Sequence, residues 1–282
     1  MGLMFWSRWP KPGRRGLGAV ALATVLALAQ VQARAQPAAA ATVLLDEMTW
    51  VEVRDALRAG STTIIIPVGG TEQNGPHMAL GKHNFRAAAL SARIAQRLGN
   101  ALVAPVVAYV PEGRISPPGG HMRFPGTISV PATAFDAIVA GAARSFKQHG
   151  FLDVVLIGDS GNYQGRLADV AQRLNREWAA SRTRAHFVAA YYGAATESFN
   201  QALRANGLTP AEIGVHAGAA DTSLMLAVDP ARVRADRMQA GSEAATGVVG
   251  DPSRASAALG KIGIDMAVDR AVEAIRLAVK NH

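Results

Sequence analysis

The stretch Thr63-Ile-Ile-Ile-Pro-Val68, running into Gly69-Gly70 and then Thr71-Glu-Gln-Asn-Gly-Pro-His77, decides the fold. A β-branched run of this length that stops at glycines reads as a strand buried on both faces and closed by a turn. A half-exposed strand would alternate apolar with polar residues instead. Working outward, the same grammar recurs. Residues 85–98 place Leu90, Ile94 and Leu98 on one helical face. Ala101 to Val110 reads as a second strand, interrupted by Pro105. Phe135, Ile138, Val139, Ala142 and Phe146 follow helical spacing up to Gly150. Val154-Val-Leu-Ile157 is a third buried strand, closing on Gly158-Asp-Ser-Gly-Asn162. Leu167, Val170, Ala171, Leu174 and Trp178 mark the next helix, and His186 to Tyr192 reads as a fourth strand. Ile264, Ala267, Val268, Ala271, Val272 and Ile275 form a C-terminal helix. Strands separated by helices of this length predict an α/β domain with a mainly parallel sheet and right-handed crossovers. No linker or repeat divides residues 45–282, which read as one domain.

The chain has 282 residues, 49% hydrophobic and 18% charged, so it can bury a sizeable core. It has no cysteine, which excludes disulfides, thiolate metal sites and a cysteine nucleophile. The formal charge of +8 is unevenly spread: Arg8, Lys11, Arg14, Arg15 and Arg34 carry +5 of it, leaving +3 for the remaining 247 residues. That is no phosphate-binding patch, and a nucleic-acid partner is not expected.

Residues 1–35 read as a secretory signal peptide. Arg14 and Arg15 precede an apolar run from Leu17 to Ala29, and Ala33-Arg34-Ala35 supplies the small residues of a cleavage site. The run is shorter than the roughly 20 residues that span a bilayer. The expectation is export to a periplasm or the exterior, cleavage after Ala35, a flexible lead-in over 36–44, and no membrane contact of the mature chain.

Chemistry concentrates where the predicted strands end. Glu72, His77 and His83 lie within 12 residues and are candidate ligands for a divalent ion. The bland alternative is that Glu72 caps a turn and the histidines are surface residues. Asp159, at the end of the third strand, offers a further carboxylate or caps the next helix. Gly158-Asp-Ser-Gly161 is also found in all-β serine proteases, but here it occupies a strand-to-helix turn. A metal-free hydrolase using Ser160 is a minor alternative. Two more polar, glycine-rich turns hold His121 (Gly119–Thr127) and His216 with Asp221 (His216–Ser223).

These turns, in this order, resemble the signatures of the creatininase (creatinine amidohydrolase) family. Pro67-Val-Gly-Gly-Thr-Glu-Gln-Asn-Gly-Pro-His77 looks like its first motif and Phe124-Pro-Gly-Thr-Ile-Ser129 like its second. His216-Ala-Gly through Asp221-Thr-Ser223 is similar to its His-Ala-Gly-x-x-Glu-Thr-Ser. The resemblance implies a three-layer αβα fold, metal-dependent hydrolysis of non-peptide C–N bonds, and homo-oligomers, hexamers among them. It also implies a first metal held by Glu, Asp and His. Glu72 matches, whereas the Asp position is His83 and the His position is Asp159. Two carboxylates and one imidazole are therefore retained, and Glu72, His83 and Asp159 are the expected ligands.

The second ion of the family is doubtful, and Asp221, shorter than the family's Glu at that position, is the one residue that could rescue it. Its ligand positions are Asn74 and Gly161 here, and the bridging carboxylate has become His83. A neutral imidazole has one free lone pair and cannot bridge two ions. Zn²⁺ suits the expected set best, with Mn²⁺ or Fe²⁺ as alternatives. The implied mechanism is attack of metal-activated water on a small cyclic or linear amide. In it His216 delivers a proton to the leaving nitrogen, Asp221 orients His216 or acts as base, His121 contacts substrate, and His77 steadies the Glu72 loop. A degenerate relative that binds a small molecule or partner without turnover is the alternative reading.

Overall fold

The structure, a computed structural model, describes residues 42–280. The signal peptide and most of the lead-in expected from the sequence lie outside the described residues. In chain order come α1 (Trp50–Arg58), β1 (Thr63–Val68), α2 (Lys82–Leu98), β2 (Ala101–Val103), α3 (Ala132–His149), β3 (Asp153–Gly158), α4 (Gln164–Glu177) and β4 (Arg184–Phe187). The second half is helical: α5 (Ala189–Gly193), a π-helical stretch (Ala194–Ser198), α6 (Phe199–Ala205), α7 (Pro210–Ile213), α8 (Ala219–Val228), α9 (Glu243–Thr246) and α10 (Ala257–Lys280).

The four strands are all parallel, in the order β2-β1-β3-β4. Side-chain alternation splits the core in two, as the period of a strand requires. Ile64, Ile66, Val68, Val154 and Leu156 face α1, α3 and α4, packing on Phe135, Val139, Leu167 and Leu174. Ile65, Val155 and Ile157 face the other way, against Leu90 and Ile94 of α2, Phe199 of α6 and Ile264 and Val268 of α10. This is the three-layer αβα arrangement. Among the described residues no helix is long and apolar enough to cross a membrane.

Two strands are shorter than their sequences suggest. β2 ends at Val103 because Pro105 has no N–H to donate to the ladder. The chain returns beside β1 only at Val107, whose N–H donates to Pro67 O at 2.9 Å. β4 ends at Phe187, and Tyr191 and Tyr192 lie in or next to the helical turn that begins at Ala189. Turning the chain there aims Tyr191 inward at the end of β3, as described below.

Close packing of α10 on α8 depends on a glycine. A Cβ at Gly260 would lie 1.8 Å from the Ser223 carbonyl oxygen and 2.9 Å from Ala227 Cβ. Alanine gains about 1 kcal/mol of helix propensity over glycine, but the backbone of α8 cannot yield as a flexible side chain does. Overpacking costs about 1–3 kcal/mol and more against rigid groups. Gly260→Ala is therefore expected to destabilise the fold by about 2 kcal/mol or more, measured by urea unfolding. A variant as stable as the parent would show the helices free to separate.

Candidate metal and hydrolase site

The site stands beyond the carboxyl ends of β1 and β3. The loop after β1 is tied back on itself. Glu72 N–H donates to Leu80 O at 3.0 Å, and Asn74 Nδ2 lies 2.9, 3.1 and 3.3 Å from the carbonyls of Glu72, Ala79 and Leu80. Asn74 is thus a loop fastener. The loop sets Glu72 beneath the first turn of α2, which carries Lys82, His83 and Arg86. Asp159 directly follows β3, and Asp221 lies in the first turn of α8.

Glu72, Asp159, His83, Lys82 and Arg86 are all buried, and His77 is fully buried. The surface-histidine reading is thereby excluded for His77 and His83. His77 Nε2 meets Thr222 Oγ1 at 2.9 Å, joining the Glu72 loop to α8. Ser160 caps the 3₁₀ turn Gly161–Tyr163, its Oγ accepting from Asn162 N–H at 3.4 Å. That is a structural role and offers no general base for a serine nucleophile.

The expected ligands Glu72, His83 and Asp159 come together, but not around a common point. His83 lies between the two carboxylates, with Nε2 at 2.9 Å from Glu72 Oε1 and Nδ1 at 2.7 Å from Asp159 Oδ2. A carboxylate accepts only, so both ring nitrogens donate and no lone pair is left for a metal. Burial alone would lower the His83 pKa, as would Lys82. Glu72 and the two hydrogen bonds override them and hold it above the ordinary imidazole value. Asp159 is also committed: Oδ2 accepts from Arg86 Nε at 2.8 Å and Oδ1 from Tyr191 at 2.6 Å. Among the described residues, Glu72, His83 and Asp159 thus form a hydrogen-bonded chain and are not a group whose ligand atoms converge.

The side chains that do converge on Glu72 are His121 and His216. One ligand atom from each of the three lies within 4.8 Å of the others. His121 Nε2 is 3.3 Å from Glu72 Oε2, His216 Nδ1 is 3.8 Å from Glu72 Oε1, and the two rings are 4.4 Å apart. Gln73 contacts both, its side-chain Nε2 lying 3.0 Å from His121 Nδ1 and its backbone carbonyl facing His216. His216 Nε2 is 2.9 Å from Gln73 O, and a carbonyl only accepts, so the network assigns the His216 proton to Nε2. The lone pair of Nδ1 is left facing a carboxylate oxygen, an arrangement of two acceptors that a cation satisfies. Both rings are neutral at neutral pH; Gln73 donates to His121 Nδ1, so the His121 proton sits on Nε2 facing Glu72, where a bound cation would displace it. Burial, helped by Lys82, lowers His216 to about 4, and burial outweighs Glu72 in lowering His121. The His216 N–H is directed at the Gln73 carbonyl.

The Asp221 oxygens accept from Lys82 Nζ at 2.6 Å, Arg86 Nη1 at 2.7 Å and Ala217 N–H at 3.0 Å. A carboxylate so occupied positions cations and is a poor base, and burial notwithstanding, Lys82 and Arg86 hold its pKa well below the carboxylate range.

Lys82, Arg86 and Glu112 escaped the sequence reading. The first two had a visible signal: three basic residues in one helical turn, beside a ligand position of the family. Glu112 had none. It is buried behind Glu72, with Oε2 accepting from Asn162 Nδ2 at 2.8 Å and no partner for Oε1. Gly70, at φ 152°, makes room, since a Cβ there would sit 2.4 Å from Glu112 Oε1. Burial, and then the Glu72 charge, pushes its pKa up from 4.5 to about 8.

Glu112 therefore keeps its proton in the fold over a range where the unfolded chain has lost it. Stability of the metal-free protein should fall as pH rises from about 4.5 to about 8. Glu112→Gln should flatten that slope and leave stability at pH 8 equal or higher. Thermal unfolding across pH 5–8 tests this, and an unchanged slope in the variant would refute it.

The cluster opens into a cavity of about 520 Å³ whose lining includes Lys82, His121, Arg123, Asn162, Tyr192 and His216. Fold and site together define a class, the metal-dependent hydrolases of C–N bonds built on an αβα scaffold. A sequence model of the creatininase family, described as creatinine amidohydrolase, matches residues 46–275, and the chain belongs to that family. It is 31% identical over 203 residues to the creatinine amidohydrolase of Pseudomonas putida, covering 70% of this chain and 76% of that protein. It is 29% identical over 224 residues to a mycofactocin precursor peptide peptidase of Mycolicibacterium smegmatis, covering 70% and 78%. Among solved structures, manganese creatininase superposes with a TM-score of 0.69 at 27% identity, over 84% of this chain and 99% of that one. A mutant creatininase of Zn–Zn type gives 0.67 at 27% identity, over 84% and 98%.

Proposed function

We propose that this chain is an amidohydrolase that cleaves a non-peptide C–N bond of a small cyclic or linear amide, with one divalent ion held by Glu72, His121 and His216. The observation that carries the reading is the convergence of a buried carboxylate with two neutral imidazoles on the wall of a cavity of small-molecule size. Two histidines and one glutamate are a donor set typical of catalytic zinc, with a coordination position left open. Zn²⁺ is the preferred ion, and Mn²⁺ and Fe²⁺ suit the same donors.

When bound, the ion supplies a water acidified towards pKa ~7 and polarises the amide carbonyl. The protein's own groups do the rest. The Gln73 backbone carbonyl accepts from His216 Nε2 and fixes that ring, as outer partners of metal-binding histidines do. Lys82 Nζ, 3.6 Å from Glu72 Oε1, lines the cavity as a donor for the carbonyl oxygen or the departing nitrogen. Asp221 holds that ammonium in place at 2.6 Å.

Export belongs to the same reading, supported by the basic, apolar and small-residue order of residues 1–35. So does homo-oligomer assembly. N-terminal sequencing of the mature chain and light scattering test the two. The decisive test of function is elemental analysis of the purified protein, followed by a panel of lactams, cyclic ureas, formamides and creatinine with and without chelator. Hydrolysis lost to chelator and restored by Zn²⁺ or Mn²⁺ is expected. Hydrolysis indifferent to chelator would overturn the reading.

A further inference from the structure

We infer that Lys82 and Arg86 are built-in cations that close the second cation position of this centre, so that the protein neutralises with side chains what a second ion would otherwise neutralise. The inference starts from the one-ion centre just proposed, but its test separates the two.

The charges make the case. Three carboxylates, Glu72, Asp159 and Asp221, face three buried cationic side chains, Lys82, His83 and Arg86. Arg86 bridges two of the acids, with one nitrogen on Asp159 at 2.8 Å and another on Asp221 at 2.7 Å. Lys82 spans Asp221 at 2.6 Å and Glu72 at 3.6 Å. Two cationic heads linking acids from three different segments do the electrostatic work of a bridging metal. The carboxylate oxygens are filled to match: Asp159 accepts from His83, Arg86 and Tyr191, and Asp221 from Lys82, Arg86 and the Ala217 amide.

The Gly161 position that would complete a second coordination shell is closed as well. Asn74 spends its amide nitrogen on backbone carbonyls and leaves its buried Oδ1 unpartnered, a neutral oxygen and no carboxylate. Gly161 has no side chain, and a Cβ there would lie 2.8 Å from Tyr192 Oη, so the tyrosine hydroxyl occupies the space. A divalent ion entering this half of the site would bring two more positive charges beside two buried cations, where the oxygens of Asp159 and Asp221 are already filled.

The experiment counts ions. Wild type, Lys82→Ala, Arg86→Ala and the double variant are each equilibrated with Mn²⁺, desalted and analysed for metal per folded chain, with circular dichroism confirming the fold. The double variant is expected to hold one Mn²⁺ more than wild type. With two ions bound, electron paramagnetic resonance should show the spin coupling of a close manganese pair, absent from wild type. Mn²⁺ should also raise Tm more in the variant than in the parent. If the double variant fails to fold without metal, Lys82→Ala alone carries the comparison. Two ions per chain in the wild type, or no gain on removing the cations, would overturn the inference. A count rising from zero to one would support it while overturning the one-ion centre of the wild type.

Discussion

Glu72→Gln is expected to lower kcat/KM for the amide substrate by at least about 10³-fold, equivalent to about 4 kcal/mol of lost transition-state stabilisation, while leaving the protein folded. Glu72 is the sole carboxylate in the converging triad and has both oxygens engaged, Oε2 facing His121 and Oε1 facing His216, His83 and Lys82. Glutamine keeps the shape and an acceptor oxygen for the His83 donor. It loses the negative charge that draws a divalent ion to two neutral imidazoles. The loss should therefore appear together in metal content and turnover, with little change in circular dichroism. Glu72→Gln with full metal occupancy would remove Glu72 from the ligand set. Full metal loss with intact hydrolysis would remove the ion from the reaction.

The second large effect is on stability. Arg86→Ala removes a buried guanidinium and leaves Asp159 and Asp221 without their shared partner. Breaking a buried ion pair by deleting one member costs about 3–5 kcal/mol, because the remaining charge stays out of water. For a domain of this size that corresponds to a Tm lower by roughly 10 °C. The loss should shrink at acid pH, where Asp159 can take up a proton and no longer needs a cation. Arg86→Lys should recover only part of it, since one ammonium cannot reach both acids with the fork of a guanidinium. A Tm within a degree or two of wild type in Arg86→Ala would mean that water or an ion already does the arginine's work.

Much of this was legible in the residues. The runs at 63–68 and 154–157 could belong to little else than central parallel strands, and the structure pairs them in parallel along their length. Glu72, His121 and His216 stood out because polar, glycine-rich turns at strand ends are where open α/β sheets place their chemistry. What the pattern leaves open is role. Spacing along the chain brought Glu72, His83 and Asp159 under suspicion together, but it carries no information about which face of an imidazole meets which oxygen. The His83 position belongs to a ligand in the family, and only the two short contacts show its ring set between two carboxylates. The fourth strand failed for a related reason: His186 to Tyr192 has strand composition, yet the sheet stops supplying partners after Leu156 and Val188.

The composition and period of the chain alone determined that it folds as helices around a parallel sheet, that its chemistry gathers at the ends of β1 and β3, and that no thiol takes part. Burial follows from apolar spacing, and apolar spacing is local. The charge pattern of the site was decided only by tertiary structure. Lys82, His83 and Arg86 crowd the N-terminal end of α2, where the helix dipole disfavours cations, and Glu72, 11 residues before His83, relieves only part of it. The rest comes from Asp159 and Asp221, 73 and 135 residues from Arg86 along the chain. Electrostatic energy depends on distance through space, and that distance exists only once the sheet has brought the segments together.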